Sequence, residues 1–338
     1  MKKLTLDDVK TILNAPKRVV IIPHTNPDGD AMGSSLGLAH YLSAKNHDVQ
    51  VITPNDYPKF LKWIPGTSDV LIFDKQHDKS TKAIHKADLI FTLDFNALHR
   101  SGPLQSTLEQ NKALKIMIDH HQQPEDYAHY RYSDVNMSST SEMVYHFIDQ
   151  LGDLHHMNST IGTALYTGIM TDTASFRFPL TTSNTHKIVA HLKDLGINHT
   201  EIHNQVYDAN RFERTKLLGI ALNNLTVLED FKTAYITLSQ EELDRCNHQK
   251  GDTEGFVNYG LSVQDVIFAA IFIEKKDEGI IKISLRSKGN FDVNQLAREH
   301  FSGGGHKNAA GGKSSLSLDD TVAKFKTLIQ SYKSELQL

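Results

Sequence analysis

The sequence lacks the features that mark disulfide-linked, membrane-spanning or polyanion-coating proteins. Its 338 residues include one cysteine, Cys246, so no intramolecular disulfide can form, and a reducing cytoplasm is the expected compartment. No apolar run reaches the length of about 18 residues that a membrane-spanning helix needs. The formal net charge of −4 argues against binding along a long nucleic acid, yet it is compatible with a locally basic site for a short anionic substrate.

What the sequence does contain is a regular alternation of apolar strands and helical patterns in its first half. The composition, with 39% apolar and 22% charged residues, is that of a globular protein, and the length suits two domains. Strands are predicted at residues 19–23, 49–52, 70–73, 89–93 and 114–118. Helical patterns lie between them, for example at 31–44 and 80–86. Such alternation favours an α/β fold with a parallel, doubly wound sheet.

The second half begins with helices and changes to strands near residue 233. Helices are predicted at 140–151, 158–171, 184–195, 200–225, 294–301 and 317–336, and the strand-like runs are TAYITL, VIFAAIFIE and IIKISLRS. We therefore predict a first domain at 1–190, a helical linker at 191–225 and a smaller mixed α/β domain at 226–338. The helices at 158–171 and 200–225 could support a homodimer.

Acidic and histidine side chains follow several of the apolar elements at the point where each element ends. Ligands of open α/β sheets bind at the carboxyl ends of the strands, so we expect these side chains to meet. The set comprises His24, Asp28, Asp30, Asp94, Asp119, His120, His121 and Asp172. Mixed carboxylate and imidazole ligands suit manganese, iron or zinc. So many ligands suit two ions, roughly 3.5–4 Å apart, that activate water for attack on phosphorus.

Each of these motifs has a simpler structural explanation when it is taken alone. The DGD of residues 28–30 is typical of a surface turn. In a metal site, Gly29 would instead let the chain fold back so that Asp28 and Asp30 point toward neighbouring ions. A single aspartate such as Asp94 commonly caps a helix after a strand. Metal binding is favoured because the pattern recurs after several separate apolar elements.

The order HTNPDGDAMGS, LDF, DHH and GIMTDT, followed by SLRSKGNFDVNQLAREHFSGGGHKNAAGG, resembles the DHH phosphoesterase superfamily over nearly the whole chain. The resemblance implies a parallel-sheet DHH catalytic domain joined to a DHH-associated domain that carries the GGGH signature, with a cleft between them. The compact two-domain layout is similar to that of the NrnA-type oligoribonucleases and pAp phosphatases.

The resemblance also implies a role for each residue of the acidic and histidine set. His24 and Asp28 are implied for the first metal ion, Asp30 and His120 for the second, Asp94 as the bridge, and Asp172 as the remaining ligand. Asp119 is expected to hold a histidine in one tautomer, and His121 to face the substrate phosphate as a catalytic group. The expected cofactors are two divalent cations, for which manganese is the best candidate.

Basic residues dominate the segment from Gly279 to Lys313, which is predicted to hold the substrate. Arg286 ends a strand-like run, where its planar fork suits a phosphate, and we expect it to contribute to catalysis. A glycine loop that approaches an anion is predicted directly before His306, at Gly303, Gly304 and Gly305. Three glycines alone are also typical of a flexible loop, but GGGHKNAAGG after an arginine-bearing strand favours a ligand-binding segment.

Three further sets of residues stay open between a functional and a structural role. Arg100 could contact the scissile phosphate or cap a helix. Ser139 and Thr140 are expected to cap a helix, because an acidic residue and an apolar pattern follow them. Phe176 and Phe178 could stack on a base, although core packing is expected for at least one of them.

These patterns lead to the hypothesis of a cytoplasmic, metal-dependent hydrolase. It would release mononucleotides from very short RNA and convert 3'-phosphoadenosine 5'-phosphate (pAp) to AMP, with no membrane or long nucleic acid as partner. One alternative keeps the chemistry and changes the substrate to pApA or cyclic di-AMP. Another class of alternative, a non-catalytic nucleotide-binding regulator, would require a damaged set of metal ligands, whereas every motif position is present.

Overall fold

The computed structural model describes residues 3–337 and divides the chain into two compact units, Met1–Ala209 and Asn210–Leu338. Each unit is built on its own sheet, and the α/β class that the sequence predicts is confirmed. Within residues 3–337, no helix combines the length and the apolar character needed to cross a membrane.

The first unit contains a six-stranded sheet in which every neighbouring pair is parallel. Its strands are β1 Arg18–Pro23, β2 Asp48–Thr53, β3 Leu71–Ile72, β4 Leu89–Leu93, β5 Leu114–Asp119 and β6 Tyr130–Ser133. The sequence did not predict β6, because its residues, YRYS, lie at the sheet edge and are too polar for an apolar strand signal. The spatial order β3-β2-β1-β4-β5-β6 reverses between β1 and β4, and such a reversal opens a crevice at the carboxyl ends of the strands.

Helices cover both faces of this sheet and bury two apolar layers. They are α1 Leu6–Ile12, α2 Gly29–Ala44, α3 His77–Lys86, α4 Gln105–Gln110, α5 Thr140–Gln150, α6 Ser159–Asp172, α7 Ser183–Asp194 and α8 His199–His203. One layer joins the sheet to α2, α5 and α6, and includes Met32, Phe147 and Leu165. The other layer includes Ile84 of α3 and Leu108 of α4.

Close packing of α2 on α6 depends on glycine. A Cβ added at Gly33 would lie 2.5 Å from the carbonyl oxygen of Ala164 and 2.8 Å from the amide nitrogen of Gly168. A Cβ at Gly29 would lie 2.2 Å from Thr171 Oγ1. Gly29 is the first residue of α2 and has no left-handed backbone conformation. Because Gly29 has no side chain, α6 can pack close to the start of α2.

The second unit contains a mixed six-stranded sheet with the order β11-β12-β10-β9-β8-β7. Its strands are β7 Thr226–Leu228, β8 Thr233–Leu238, β9 Phe268–Lys275, β10 Ile280–Ser287, β11 Gly304–His306 and β12 Ala309–Ser314. Its helices are α9 Phe212–Asn223, α10 Gln240–Arg245, α11 Val257–Leu261, α12 Val293–His300, α13 Leu318–Ser331 and α14 Lys333–Gln337. Neighbouring strands are antiparallel except for the parallel pair β8 and β9.

The long helix predicted at 200–225 is interrupted in the structure. After α8, a π-helical turn spans Asn204–Asp208, and α9 begins at Phe212. The two parts pack against different cores, since Val206 joins the core of the first unit and Leu217 that of the second. The separate linker at 191–225 stays a prediction; in the structure the change of unit falls within this segment, between Ala209 and Asn210.

We predict that Gly33→Ala destabilises the first unit by roughly 1–3 kcal/mol, because the new methyl group meets backbone atoms of α6 that cannot rotate away. The midpoint of urea unfolding measures this. Gly37→Ala in the same helix is the matched control, since its Cβ would meet the end of the Leu165 side chain, which can change rotamer. Equal unfolding midpoints for the two variants would contradict the backbone clash.

Candidate metal centre

The crevice at the carboxyl ends of β1, β4 and β5 collects the acidic and histidine side chains of the first unit. His24 directly follows β1, Asp94 directly follows β4, and His120 directly follows β5. Asp28 and Asp30 lie at the start of α2, and Asp172 is the last residue of α6. Most of these side chains are buried, with Asp30 at 1% exposure and Asp94 at 2%.

Three of them, His24, Asp28 and Asp94, form what we call the first triad. Each offers a ligand atom, and these atoms lie within 4.8 Å of one another. His24 Nε2 is 3.3 Å from Asp94 Oδ2 and 3.9 Å from Asp28 Oδ2. Asp28 Oδ1 accepts the amide N–H of Asp30 and of Ala31 as the N-cap of α2, so Oδ2 is the oxygen that faces the triad.

Asp30, His120 and Asp172 form the second triad, with the same limit of 4.8 Å between ligand atoms. His120 Nε2 lies 3.5 Å from Asp172 Oδ2 and 4.0 Å from Asp30 Oδ2. The same nitrogen is 3.5 Å from Asp94 Oδ1. Asp94 therefore faces one histidine of each triad, with one oxygen toward each, as a bridging carboxylate would.

The histidine tautomers suit metal binding. His24 Nδ1 lies 2.7 Å from the carbonyl oxygen of Thr25, and His120 Nδ1 lies 3.1 Å from that of Met137. A carbonyl oxygen only accepts hydrogen bonds, so each Nδ1 must carry the proton. In a neutral ring, Nε2 then holds the lone pair that a metal ion requires, and it is the nitrogen that faces the carboxylates.

The electrostatics of the two triads also fit bound cations. Burial, together with repulsion from Asp94 and Asp172, raises the pKa of Asp30 well above its usual value. Burial alone would lower the pKa of His24, but the carboxylates of Asp94 and Asp28 outweigh it and raise that pKa to about 9. Both shifts report uncompensated negative charge in a buried site, which cations would neutralise. The donor set of carboxylates and imidazoles is therefore suited to divalent metal ions.

Asp119 holds the tautomer of a histidine, but that histidine is His121 rather than the ligand candidate His120. Asp119 Oδ1 lies 2.7 Å from His121 Nδ1. The reason is geometric, because residues two apart at the end of a strand point to the same side. Burial and the nearby Asp94 raise the pKa of Asp119 to about 7. The catalytic role of His121 stays a prediction.

The N-terminus of α5 binds the buried carboxylate of Asp30, a contact that the sequence did not predict. The amide of Thr140 donates to Asp30 Oδ2 at 2.6 Å, and that of Ser141 donates to Oδ1 at 2.8 Å. Ser139 is the N-cap, as predicted, and accepts the amide N–H of Glu142. The SSTSE sequence signals a helix start, but only the tertiary structure shows that this helix end faces Asp30.

In the second unit, the sheet places Arg286 and His306 on one face. Ala309 of β12 pairs with Arg286 of β10 on one side and with His306 of β11 on the other. Directly opposed residues of antiparallel strands point to the same face, and two strand spacings separate the outer pair by roughly 10 Å. The small Ala309 lies between them on this face.

The glycines of the GGGH motif form part of a β-hairpin instead of the predicted loop. Gly304 and Gly305 belong to β11. A Cβ at Gly303 would lie 1.9 Å from the carbonyl oxygen of Gly311, and a Cβ at Gly305 would lie 2.5 Å from that of Ala309. The Gly305 amide donates to Asn294 Oδ1 at 2.8 Å, so this N–H already has a protein acceptor. Close packing of the hairpin is thus sufficient to explain Gly303 and Gly305, whereas a Cβ at Gly304 would come no closer than 3.5 Å to a neighbour.

The structure shows where the residues lie whose roles the sequence did not decide. Arg100 is half-buried, and its positive charge acts to lower the pKa of Asp119 and of His121, which places it near the first unit's site. Phe176 packs against the ring of Tyr166 with centroids 5.9 Å apart, as expected for a core residue. Phe178 is 38% exposed.

Among the other groups that meet the same distance limit for metal ligands are Asp153, His155 and His156. Asp153 already accepts the hydroxyl of Tyr41 at 2.5 Å and forms an ion pair with Lys45. The ammonium group supplies the compensating positive charge and would repel a cation, so this group does not share the features of the two triads.

Comparison with known proteins agrees with this geometry. The profile of the DHH family, N-terminal domain, matches residues 18–169, and that of the DHHA1 domain matches residues 231–335. The chain is 30% identical to bifunctional oligoribonuclease and PAP phosphatase NrnA from Thermus thermophilus, covering 87% of this chain and 83% of that protein. It is 25% identical to cyclic-di-AMP phosphodiesterase GdpP from Bacillus subtilis, covering 96% of this chain and 49% of that protein.

A solved structure is similar over nearly its full length. An exopolyphosphatase-related protein from Bacteroides fragilis superposes with a TM-score of 0.94 at 39% identity, covering 98% of this chain and 97% of that one. The resemblance therefore extends across both sheets of the chain.

We predict that saturating Mn²⁺ raises the melting temperature of the first unit by about 5–10 °C over the chelated protein, because cations relieve the repulsion among its carboxylates. Asp94→Asn should lose most of this shift, since Asp94 faces both triads. Asparagine is preferred to alanine because Asp94 has a left-handed φ of 63°, which asparagine tolerates. Asp149→Asn, at an exposed residue of α5, should keep the full shift; an equal shift in both variants would contradict the site.

Proposed function

The chain belongs to the DHH family, and we propose that it is a metal-dependent phosphoesterase that hydrolyses short oligoribonucleotides to mononucleotides and dephosphorylates pAp to AMP. The observation that carries this proposal is the pair of triads at the reversal point of a parallel sheet, with Asp94 of the first triad also facing His120 of the second. The similarity to an oligoribonuclease and PAP phosphatase over most of both chains supports this substrate class.

The candidate ligands in the crevice would hold two different cations. His24, Asp28 and Asp94 would hold one divalent cation, and Asp30, His120 and Asp172 would hold the other, with manganese as the best candidate. Two such ions would supply Lewis acidity that neutralises a phosphate group and makes water a stronger acid. The chain itself fixes the direction of each ligand, through the N-cap bonds of Asp28, the helix end that holds Asp30 and the carbonyl groups that orient the imidazoles.

His121 is the proposed acid–base group. The Nδ1 of His121 lies 2.7 Å from Asp119 Oδ1, so proton exchange with a phosphate or a leaving oxygen would run through the other ring nitrogen, Nε2. Arg100, whose charge reaches this pair, is proposed as a phosphate contact within the same unit. In the second unit, Arg286 and His306 are proposed to bind substrate phosphate from the shared face of their sheet.

A second candidate function is hydrolysis of linear or cyclic dinucleotides such as pApA or cyclic di-AMP. The similarity to a cyclic-di-AMP phosphodiesterase favours it, although this chain spans about half the length of that relative. Comparison of kcat/KM for pAp, a diribonucleotide and pApA under the same conditions discriminates between the two. A non-catalytic nucleotide-binding role is disfavoured, because both triads are complete.

We predict Mn²⁺-dependent release of mononucleotides from a labelled diribonucleotide and of phosphate from pAp. Asp94→Asn should lower kcat by at least about 100-fold, because the charge that stabilises the transition state depends on both triads. The control Asp149→Asn should retain wild-type turnover. Absence of hydrolysis of every short phosphodiester and of pAp by the wild-type protein with Mn²⁺ would reject the enzymatic function.

We predict that Arg286→Ala lowers kcat/KM by about 10–100-fold, the loss expected for charge-assisted hydrogen bonds worth roughly 1.5–3 kcal/mol. Arg286→Lys should recover only part of it, because a lysine lacks the planar fork. The matched control is Lys276→Ala, which removes an exposed positive charge from the turn between β9 and β10. If Lys276→Ala costs as much as Arg286→Ala, the effect is one of net charge and Arg286 is not a specific contact.

A further inference from the structure

A single residue, Thr140, connects two of the candidate ligands. Its amide donates to Asp30 Oδ2 at 2.6 Å, and its hydroxyl donates to Asp94 Oδ1 at 3.0 Å. Thr140 is fully buried at the first position of α5. We propose that Thr140 is a positioning residue that sets the orientation and spacing of the Asp30 and Asp94 carboxylates for cation binding. This inference rests on the proposed role of the two triads as metal ligands.

The two carboxylates are held to different degrees. Both oxygens of Asp30 accept backbone amides, from Thr140 and from Ser141, so removal of a side chain leaves Asp30 in place. Asp94 accepts the Thr140 hydroxyl on Oδ1 and directs Oδ2 toward His24 Nε2, 3.3 Å away. The hydroxyl therefore fixes the plane of the Asp94 carboxylate, with one oxygen on the side of the second triad and the other toward His24. Its loss should disturb the candidate ligand that faces both triads.

The hydroxyl of Thr140 has no role in capping its own helix. Ser139 is the N-cap, and its Oγ accepts the amide of Glu142 at 3.0 Å. The Thr140 hydroxyl instead reaches a residue 46 positions earlier in the chain. A β-branched side chain is restricted in χ1, so threonine holds the hydroxyl direction more firmly than serine would. This separates a positioning role from a contribution to helix stability.

Asp94 needs such an anchor for a further reason. Its backbone has a left-handed φ of 63°, a conformation that aspartate and asparagine adopt more readily than most other residues and that surrounding contacts hold in place. The Asp94 amide donates to the carbonyl of Ile118 at 3.1 Å, which fixes its backbone. The Thr140 hydroxyl fixes the side chain, so the two contacts together define where the shared carboxylate lies.

Manganese affinity of the full chain, measured by isothermal titration calorimetry without substrate, tests this inference. Thr140→Val keeps the shape and the amide but removes the hydroxyl, and should weaken Mn²⁺ binding by about 10–100-fold, as loss of a partner that orients a metal ligand does. Thr140→Ser restores the hydroxyl and should recover most of the affinity. Urea unfolding of each variant verifies that the first unit folds, and Thr140→Ala replaces the valine variant if it does not.

The matched control is Thr185→Val. Thr185 is also fully buried, and its hydroxyl donates to a carboxylate, that of Glu142, at 3.0 Å, but it contacts no candidate ligand. It should lose stability and keep wild-type Mn²⁺ affinity. Unchanged affinity in Thr140→Val, or an equal loss in Thr185→Val, would overturn the positioning role. So would a wild-type chain that binds no Mn²⁺.

The calorimetric readout separates this inference from the proposed function. A wild-type chain that binds Mn²⁺ but hydrolyses no phosphoester contradicts the proposed function alone, and the affinities of the Thr140 variants still decide the positioning role. Weakened Mn²⁺ binding in Thr140→Val with recovery in Thr140→Ser supports the positioning role whichever substrate the enzyme prefers.

Discussion

The candidate site of the first unit depends on how the fold compensates the buried carboxylate of Asp30. Asp30 is 1% exposed, lies among other carboxylates and has a raised pKa, so its ionised form needs compensation from the fold. The N-terminus of α5 supplies two backbone amides to it, and the positive end of the helix dipole faces the same group. This one contact joins α2, which carries Asp30, to α5. The other carboxylates of the cluster still carry an excess of negative charge, which divalent cations would neutralise.

Close helix packing then brings the last carboxylate within reach. Asp172 ends α6, and α6 approaches α2 because Gly29, Gly33 and Gly37 offer no side chains at the contact. Without this approach, the second triad would lack Asp172. The small residues of the HTNPDGDAMGS motif therefore shape the candidate metal centre indirectly, through the packing of a helix that lies more than 100 positions later in the chain.

The second unit shows how one motif can have a structural explanation beside a functional one. The GGGH segment forms a hairpin strand, and two of its glycines have backbone carbonyls where a Cβ would lie. The same hairpin sets His306 opposite Ala309, and hence on the face of Arg286. The phosphate site proposed for Arg286 and His306 would use rigid strands to orient its side chains, which suits recognition of a small anion better than a flexible loop would.

The sequence by itself determined the α/β class, most of the strands and the set of acidic and histidine residues at the strand ends, because strand periodicity and motif chemistry are local. It could not reveal β6, whose residues are too polar, or the break before α9, where the chain passes from one core to another. Nor could it show that Asp119 pairs with His121, or that Thr140 contacts both Asp30 and Asp94. Those relations were decided only by the tertiary structure, since they depend on side-chain direction and on contacts between residues as many as 110 positions apart.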